Sequence, residues 1–238
     1  MIKRLELGDI SVDVQFKDIK NVHLSVYPPT GRVRISAPDR MSLDTVRVFA
    51  ISKLDWIKAQ QKKLVAQERE APREFLERES HYLWGRRYLL ELRIASGKAR
   101  VEIAHKRIVI SSPKAASQEK LRELMDEQYR SALRESALNL VAQWEKRLGV
   151  QVKQLFIQRM KTKWGSCNSS AKNIRLNLDL AKKAPECLEY IVLHEMLHFF
   201  VPNHGPRFVE LMDRHMPNWR QIRQKLNETP LSHVDWTY

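Results

Sequence analysis

His194-Glu195-Met196-Leu197-His198, followed through Phe199-Phe200-Val201-Pro202-Asn203 by His204, is the stretch around which the chain is read. On a helix, residues four apart lie one turn above the other on the same face. His194 and His198 can therefore direct two imidazoles at one metal ion. Glu195 then sits beside the ion without being forced to bind it, where a carboxylate can take a proton from water. The H-E-x-x-H pattern with a histidine six residues further on points to a zinc site.

The flanking residues fit a helix that stops soon after the second histidine. Pro185 suits a first helical position. Leu188, Ile191, Val192 and Leu197 supply apolar residues at near-helical spacing. Pro202 disfavours helix at Val201, so the helix should end near Phe200. A turn through Asn203, His204 and Gly205 brings His204 back towards the ion, and Pro206 opens a second helix. Val201 stands where a metzincin has its glycine, so this is a zincin-type pattern without that turn. Glu210 and Asp213 are acidic alternatives for the third ligand; the spacing favours His204. The plainer reading is histidines on a half-buried helix. Three at this spacing, with the glutamate in place, weigh against it.

Lysine and arginine number 42 against 28 acidic residues, a formal charge of +14 in 238 residues. The surplus favours acidic partners, nucleic acid first and an anionic membrane surface second. It is spread along the chain rather than clustered. Cys167 and Cys187 make no disulfide framework. No apolar run reaches the roughly 18 residues of a membrane span, and the first residues lack the apolar core of a signal peptide. A cytoplasmic, reducing setting is the expectation.

The first forty residues read as β. Ile10, Val12, Val14 and Phe16 alternate with polar neighbours, as do Val22, Leu24 and Val26, then Val33 and Ile35. Tyr27-Pro28-Pro29-Thr30-Gly31 reads as a turn. Ser42 caps a helix whose stripe is Val46, Phe49, Ala50, Leu54, Ile57 and Leu64. A polar stretch leads from it to a connection near Pro72. A second β region follows, with Tyr88, Leu90, Leu92 and Ile94, then Val101 and Ile103, then Ile108 and Ile110. From about Ser117 to Leu148 a long helical pattern runs to Gly149, and is expected to pack beneath the histidine-bearing helix. Val152, Leu155 and Ile157 suggest a strand, and Ile174, Leu176 and Leu178 a returning one. Phe208, Leu211 and Met212, then Trp219, Ile222 and Leu226, mark two short helices separated by Pro217. The tail from Thr229 reads as poorly structured or docked by Trp236.

Taken together, Arg159-Met160-Lys161-Thr162-Lys163-Trp164-Gly165-Ser166-Cys167, the H-E-x-x-H stretch and Asn203-His204-Gly205-Pro206-Arg207-Phe208 resemble the YgjP-type metallopeptidase family. Gly85-Arg86-Arg87-Tyr88 and the β-rich N-terminal portion fit it too. The family is similar to SprT-type zinc proteases, and some relatives of those act on proteins crosslinked to DNA. The resemblance implies zinc ligands at His194, His198 and His204, and Glu195 as catalytic base acting on a zinc-activated water. It implies a protein or peptide substrate. For the oxyanion partner, Arg159, Lys161, Lys163 and Tyr190 are candidates by chemistry. Trp164 reads either as a wall of the cleft beside a strand that holds an extended substrate, or as a core residue. Cys167 reads as a small buried thiol.

The expected fold is α+β. Residues 1–112 form a β-rich N-terminal part with one long helix, and 113–238 a helical zincin-like metallopeptidase domain with a small antiparallel sheet. The expected function is zinc-dependent hydrolysis of peptide bonds. Its rivals are a nucleic-acid-associated protease acting on DNA-bound proteins and a non-catalytic, zinc-stabilised basic binding module.

Overall fold

The computed structural model describes residues 2–27, 31–66, 73–160 and 163–228. The tip of the Tyr27–Gly31 turn, the Leu64 side chain, the connection near Pro72, Lys161 and the tail with Trp236 lie outside them. The chain divides into two compact units, Met1–Arg69 and Glu70–Tyr238.

The first unit is a four-stranded sheet with two helices. β1 (Ile2–Leu7) and β2 (Ile10–Lys17) form a hairpin, and β3 (His23–Tyr27) pairs antiparallel with β4 (Arg32–Pro38). β2 and β4 run parallel, giving the order β1-β2-β4-β3. Alternation puts Val12, Val14, Val33 and Ile35 on the covered face, and Val46, Ala50 and Ile57 pack into the same core. The helical stripe reads correctly, but it belongs to two helices, α1 (Leu43–Ile51) and α2 (Leu54–Ala66). The break follows Ser52, whose hydroxyl donates to the Phe49 carbonyl at 2.8 Å. That bond offers the backbone an alternative to continuing the helix.

The second unit begins earlier than residue 113. Its first sheet holds β5 (Ser80–Leu83), β6 (Arg86–Ile94), β7 (Arg100–Ala104) and β8 (Arg107–Ser112), in the order β5-β6-β8-β7. Leu83, Leu90, Ile108 and Ile110 share one apolar core with α3 (Gln118–Leu148) and α4 (Pro185–Leu197). A boundary at 112 would cut through that core, which is why the division falls at 69/70 instead.

α3 spans 31 residues and buries Leu121, Met125, Tyr129, Leu133, Ala137, Val141 and Trp144, a stripe at near-fourfold spacing. The Ser117 hydroxyl accepts from Lys120 N at its start, and Gly149 closes it in the left-handed conformation at φ 67°. α3 packs against α4, as the sequence suggests.

A small mixed sheet packs against both α4 and α3. β10 (Gly165–Asn168) pairs antiparallel with β11 (Asn173–Asn177), and β11 pairs parallel with β9 (Gln154–Gln158). The returning strand therefore forms its hairpin with Gly165–Asn168, a stretch with no apolar alternation, and only one of the two pairings is antiparallel. The order β10-β11-β9 leaves β10 as an edge. Leu178 belongs to a short 3-10 helix, Leu178–Lys182, which leads into α4. α5 (Pro206–His215) and α6 (Trp219–Glu228) complete the unit.

Candidate metal centre

α4 starts on Pro185 and ends with His198 as its C-cap, two residues before Phe200. His198 keeps helical dihedrals (φ −65°, ψ −11°), so it still stands one turn beyond His194. The chain then turns through Pro202 and Asn203 and returns His204 to the same place. Ligand atoms of His194, His198 and His204 all lie within 4.8 Å of one another. The Nε2 atoms of His194 and His204 are 2.9 Å apart.

Two features organise this triad. The first is a tautomer. His198 Nδ1 lies 3.0 Å from the Val201 carbonyl oxygen, which can only accept, so Nδ1 carries the proton and Nε2 keeps its lone pair. The second is Phe208, at the start of α5. Its ring lies 4.9 Å from those of His194 and His198 and 4.8 Å from that of His204, and it is 3% exposed. The sequence marks Phe208 only as an apolar helical residue.

Burial and the two neighbouring imidazoles hold the His194 pKa down to about 3. Burial, then His198, lowers that of His204. Close imidazoles disfavour charge on one another, which favours the neutral, donor form of His194 and His204. Glu195 faces the same cleft and is 6% exposed. Burial raises its carboxyl to about 7, with Lys163 opposing the rise.

The cleft measures about 500 Å³ and has the β10 strand along one side. Gly165 sits directly against Glu195, and Trp164 and Cys167 also line the space. Trp164 meets both of its readings, since it is half-buried against the core and forms part of the cleft wall. Cys167 lines the cleft too and is not fully buried. Burial and then Glu195 push its thiol up to about 11, so it stays protonated.

The remaining candidates separate cleanly. Arg159 is bound to Asp126, at 2.6 Å and 3.2 Å, away from the cleft. Tyr190 is buried with its ring 5.8 Å from that of His194, stacks on Trp219 and is not part of the cleft lining. Lys163 is in the lining. Glu210 pairs with Arg214, and Asp213 with Arg220 and the Trp219 indole. Neither acid joins the triad, and among the described residues no fourth side chain does.

The family model of the YgjP-like metallopeptidase domain matches residues 20–229, and the chain belongs to that family. It is thus one of the metallopeptidases, which act on protein or peptide substrates with the help of a metal ion. Two of the solved structures that are similar to it are metallopeptidase zymogens. One is the metallopeptidase zymogen abylysin of Pyrococcus abyssi, 19% identical over 38% of this chain and 90% of that one, with a TM-score of 0.36. The other is the metallopeptidase zymogen jannalysin of Methanocaldococcus jannaschii, 27% identical over 38% of this chain and 87% of that one, with a TM-score of 0.35. No curated protein matches the chain. Among the described residues no helix is long and apolar enough to cross a membrane.

Proposed function

We propose that the chain is a zinc peptidase in which His194, His198 and His204 hold the ion and Glu195 is the general base. The observation that carries this reading is the convergence of three imidazoles within 4.8 Å, with the buried carboxyl of Glu195 in the same cleft. The donor set suits zinc: three neutral nitrogens, no thiolate and no cage of hard oxygens. Three protein ligands rather than four favour a catalytic over a structural site.

When bound, the ion supplies Lewis acidity, making water more acidic and polarising the peptide carbonyl. Glu195 accepts the proton that water gives up as its oxygen bonds to the carbonyl carbon. Cleavage of the C–N bond then leaves an amine, to which Glu195 returns that proton. The products are one new carboxyl and one new amine, and Glu195 ends as it began. A carboxyl raised to about 7 by its protein surroundings is suited to both halves of the transfer.

The β10 edge supplies a way to hold the substrate. Asn177 N donates to the Trp164 carbonyl at 2.9 Å, and Ser166 lies opposite Arg175. Antiparallel pairing alternates, so Trp164 and Ser166 turn their backbone groups towards β11. Gly165 and Cys167 turn theirs away from β11, to the free edge beside Glu195. An extended peptide adding to that edge has its backbone held next to the proposed base. The reading includes a reducing, cytoplasmic setting, supported by the two free cysteines.

The test is cleavage of an unfolded polypeptide by the zinc-loaded protein. Wild type should produce fragments with new amino termini, a chelator should stop it, and Glu195→Gln should lower turnover by about 10²-fold or more. Equal cleavage by wild type and Glu195→Gln would remove Glu195 from the chemistry.

A further inference from the structure

The sheet of the first unit has two unlike faces. α1 and α2 pack on the one that bears Val12, Val14, Val33 and Ile35. Side chains alternate along a strand, and residues opposite one another on neighbouring strands share a face. The register therefore sets a polar row on the other face. Arg4 of β1 stands opposite Asp13 of β2, Asp13 opposite Arg34 of β4, and Arg34 opposite Ser25 of β3. Two residues along β4, Arg32 stands opposite Tyr27 on the same face. Lys17 also lies on it, so Arg4, Arg32, Arg34 and Lys17 face Asp13 and Glu6, an excess of positive charge.

These arginines are not equally committed. Asp13 is buried and accepts from Arg32 Nε at 2.6 Å, while Arg4 Nε lies 3.8 Å from its other oxygen. The Arg4 side chain is 68% exposed. Arg34 has no carboxylate partner among the described residues. Its guanidinium carbon lies 5.6 Å from the centre of the Tyr27 ring, and its Nε is buried with no hydrogen-bond partner. A buried donor left unmet is unfavourable, and an incoming acceptor would relieve it. The sheet of the second unit shows the contrast. On its face away from the core, Arg93 and Arg107 lie 2.5 and 2.7 Å from Glu91, and Arg100 lies 2.9 Å from Glu102.

We propose that this face of the first sheet binds single-stranded nucleic acid, with Arg4, Arg32 and Arg34 on the phosphates and Tyr27 beside a base. Arg32 and Arg34, two residues apart on one strand, are spaced by about 7 Å, and Arg4 stands two strands from Arg34, about 10 Å away. Guanidinium forks match phosphate oxygens, and an aromatic ring among them offers a stacking surface. A single strand is favoured over a duplex because its bases are free to reach a ring on a sheet. A nucleic acid is favoured over an acidic protein because Arg34 and Tyr27 together form a planar, stacking pair, whereas a carboxylate calls only for charge. The surface is separate from the histidine triad, and the claim stands or falls without the peptidase reading.

The experiment follows the fluorescence anisotropy of a labelled oligothymidylate of about 12 nucleotides as the full chain is added, over a range of salt. Wild type should bind, more weakly as salt rises. Arg4→Gln and Arg34→Gln should each weaken binding and lower the salt slope by about 0.7, the share of one phosphate contact on a single strand. Tyr27→Leu should weaken binding about fivefold or more and leave the slope unchanged. Arg100→Gln, on the second sheet, should match wild type. A thermal melt of each variant checks the fold, and Arg4→Gln, at an exposed side chain, keeps the test decisive if Arg34→Gln does not fold. Failure of wild type to bind, or binding that Arg4→Gln and Arg34→Gln leave unchanged, overturns the proposal. Polyglutamate that displaces the oligonucleotide at equal charge would overturn it in favour of an acidic protein. Anionic vesicles that do so would overturn it in favour of a membrane surface.

Discussion

A β-carbon on Gly165 would stand 2.7 Å from Oε1 of Glu195 and 2.9 Å from its Cγ, with Cγ2 of Ile191 also at 2.9 Å. Real β-carbons essentially never sit so close, so the edge strand meets the proposed base where any side chain forces a neighbour to shift. Gly165→Ala must push either β10 or the carboxyl aside. A displacement of about 1 Å at a reacting group can cost around 100-fold. The variant should bind zinc as wild type does and lose about 10- to 100-fold in kcat/KM. Wild-type kcat/KM would show that the strand yields at no cost to the chemistry.

Glu195 also sets a pH dependence of stability. Its folded-state pKa, about 7, lies above the ordinary value of 4.5. The folded state therefore binds the proton more tightly than the unfolded state, and the contribution is present in full below about 4.5 and lost as pH rises to about 7. In zinc-free protein, the shift corresponds to about 3 kcal/mol at most. Glu195→Gln cannot titrate, so it should gain stability relative to wild type as pH rises through this window. Denaturant melts of both proteins at pH 5 and pH 8 measure it, and an unchanged difference between the two pH values would contradict it.

Phe208 holds the histidine rings from one side. Phe208→Ala opens a cavity at a residue 3% exposed, at a cost of about 3–5 kcal/mol. It should also weaken zinc affinity by roughly 10- to 100-fold, the scale seen when groups supporting metal ligands are lost. Phe208→Leu should recover most of the stability and less of the affinity. Chelator competition on folded protein separates the two effects.

Asn177 ties down the approach to β10. Its side-chain nitrogen donates to the carbonyls of Met160 and Lys163, both at 2.9 Å, and its oxygen accepts from Asp179 N. Asn177→Asp keeps the shape but turns a carboxylate oxygen towards two carbonyls. The loss of paired groups at a buried site should cost about 2–3 kcal/mol. Because the segment held in this way leads to Lys163 and Trp164, KM should rise more than kcat falls. A denaturant melt and steady-state kinetics check the two parts.

The histidine triad and Glu195 are legible in the sequence because the i, i+4 rule and two prolines confine them to a helix and the turn after it. The long α3 is legible for the same reason, since its stripe, Ser117 and Gly149 all agree. The edge strand is not. Gly165-Ser166-Cys167-Asn168 has no alternation, and its pairing with β11 is decided by tertiary packing over Ile191 and Glu195. The break between α1 and α2 falls beside Ser52, whose hydroxyl bonds the Phe49 carbonyl, and it leaves the apolar stripe untouched. The grouping of β5–β8 with the second unit depends on which core Leu90 and Ile108 enter, a choice that periodicity cannot express. Phe208 shows the same limit: its apolar character is local information, while its contact with three imidazoles is not.

Zinc content per chain, measured on wild type, Glu195→Gln and His204→Ala after identical loading and desalting, tests the proposed centre most directly. A site built from His194, His198 and His204, with Glu195 outside the ligand set, gives about one zinc in wild type and in Glu195→Gln, and a marked loss in His204→Ala. Wild type that retains no divalent metal, or His204→Ala that retains as much as wild type, would contradict it.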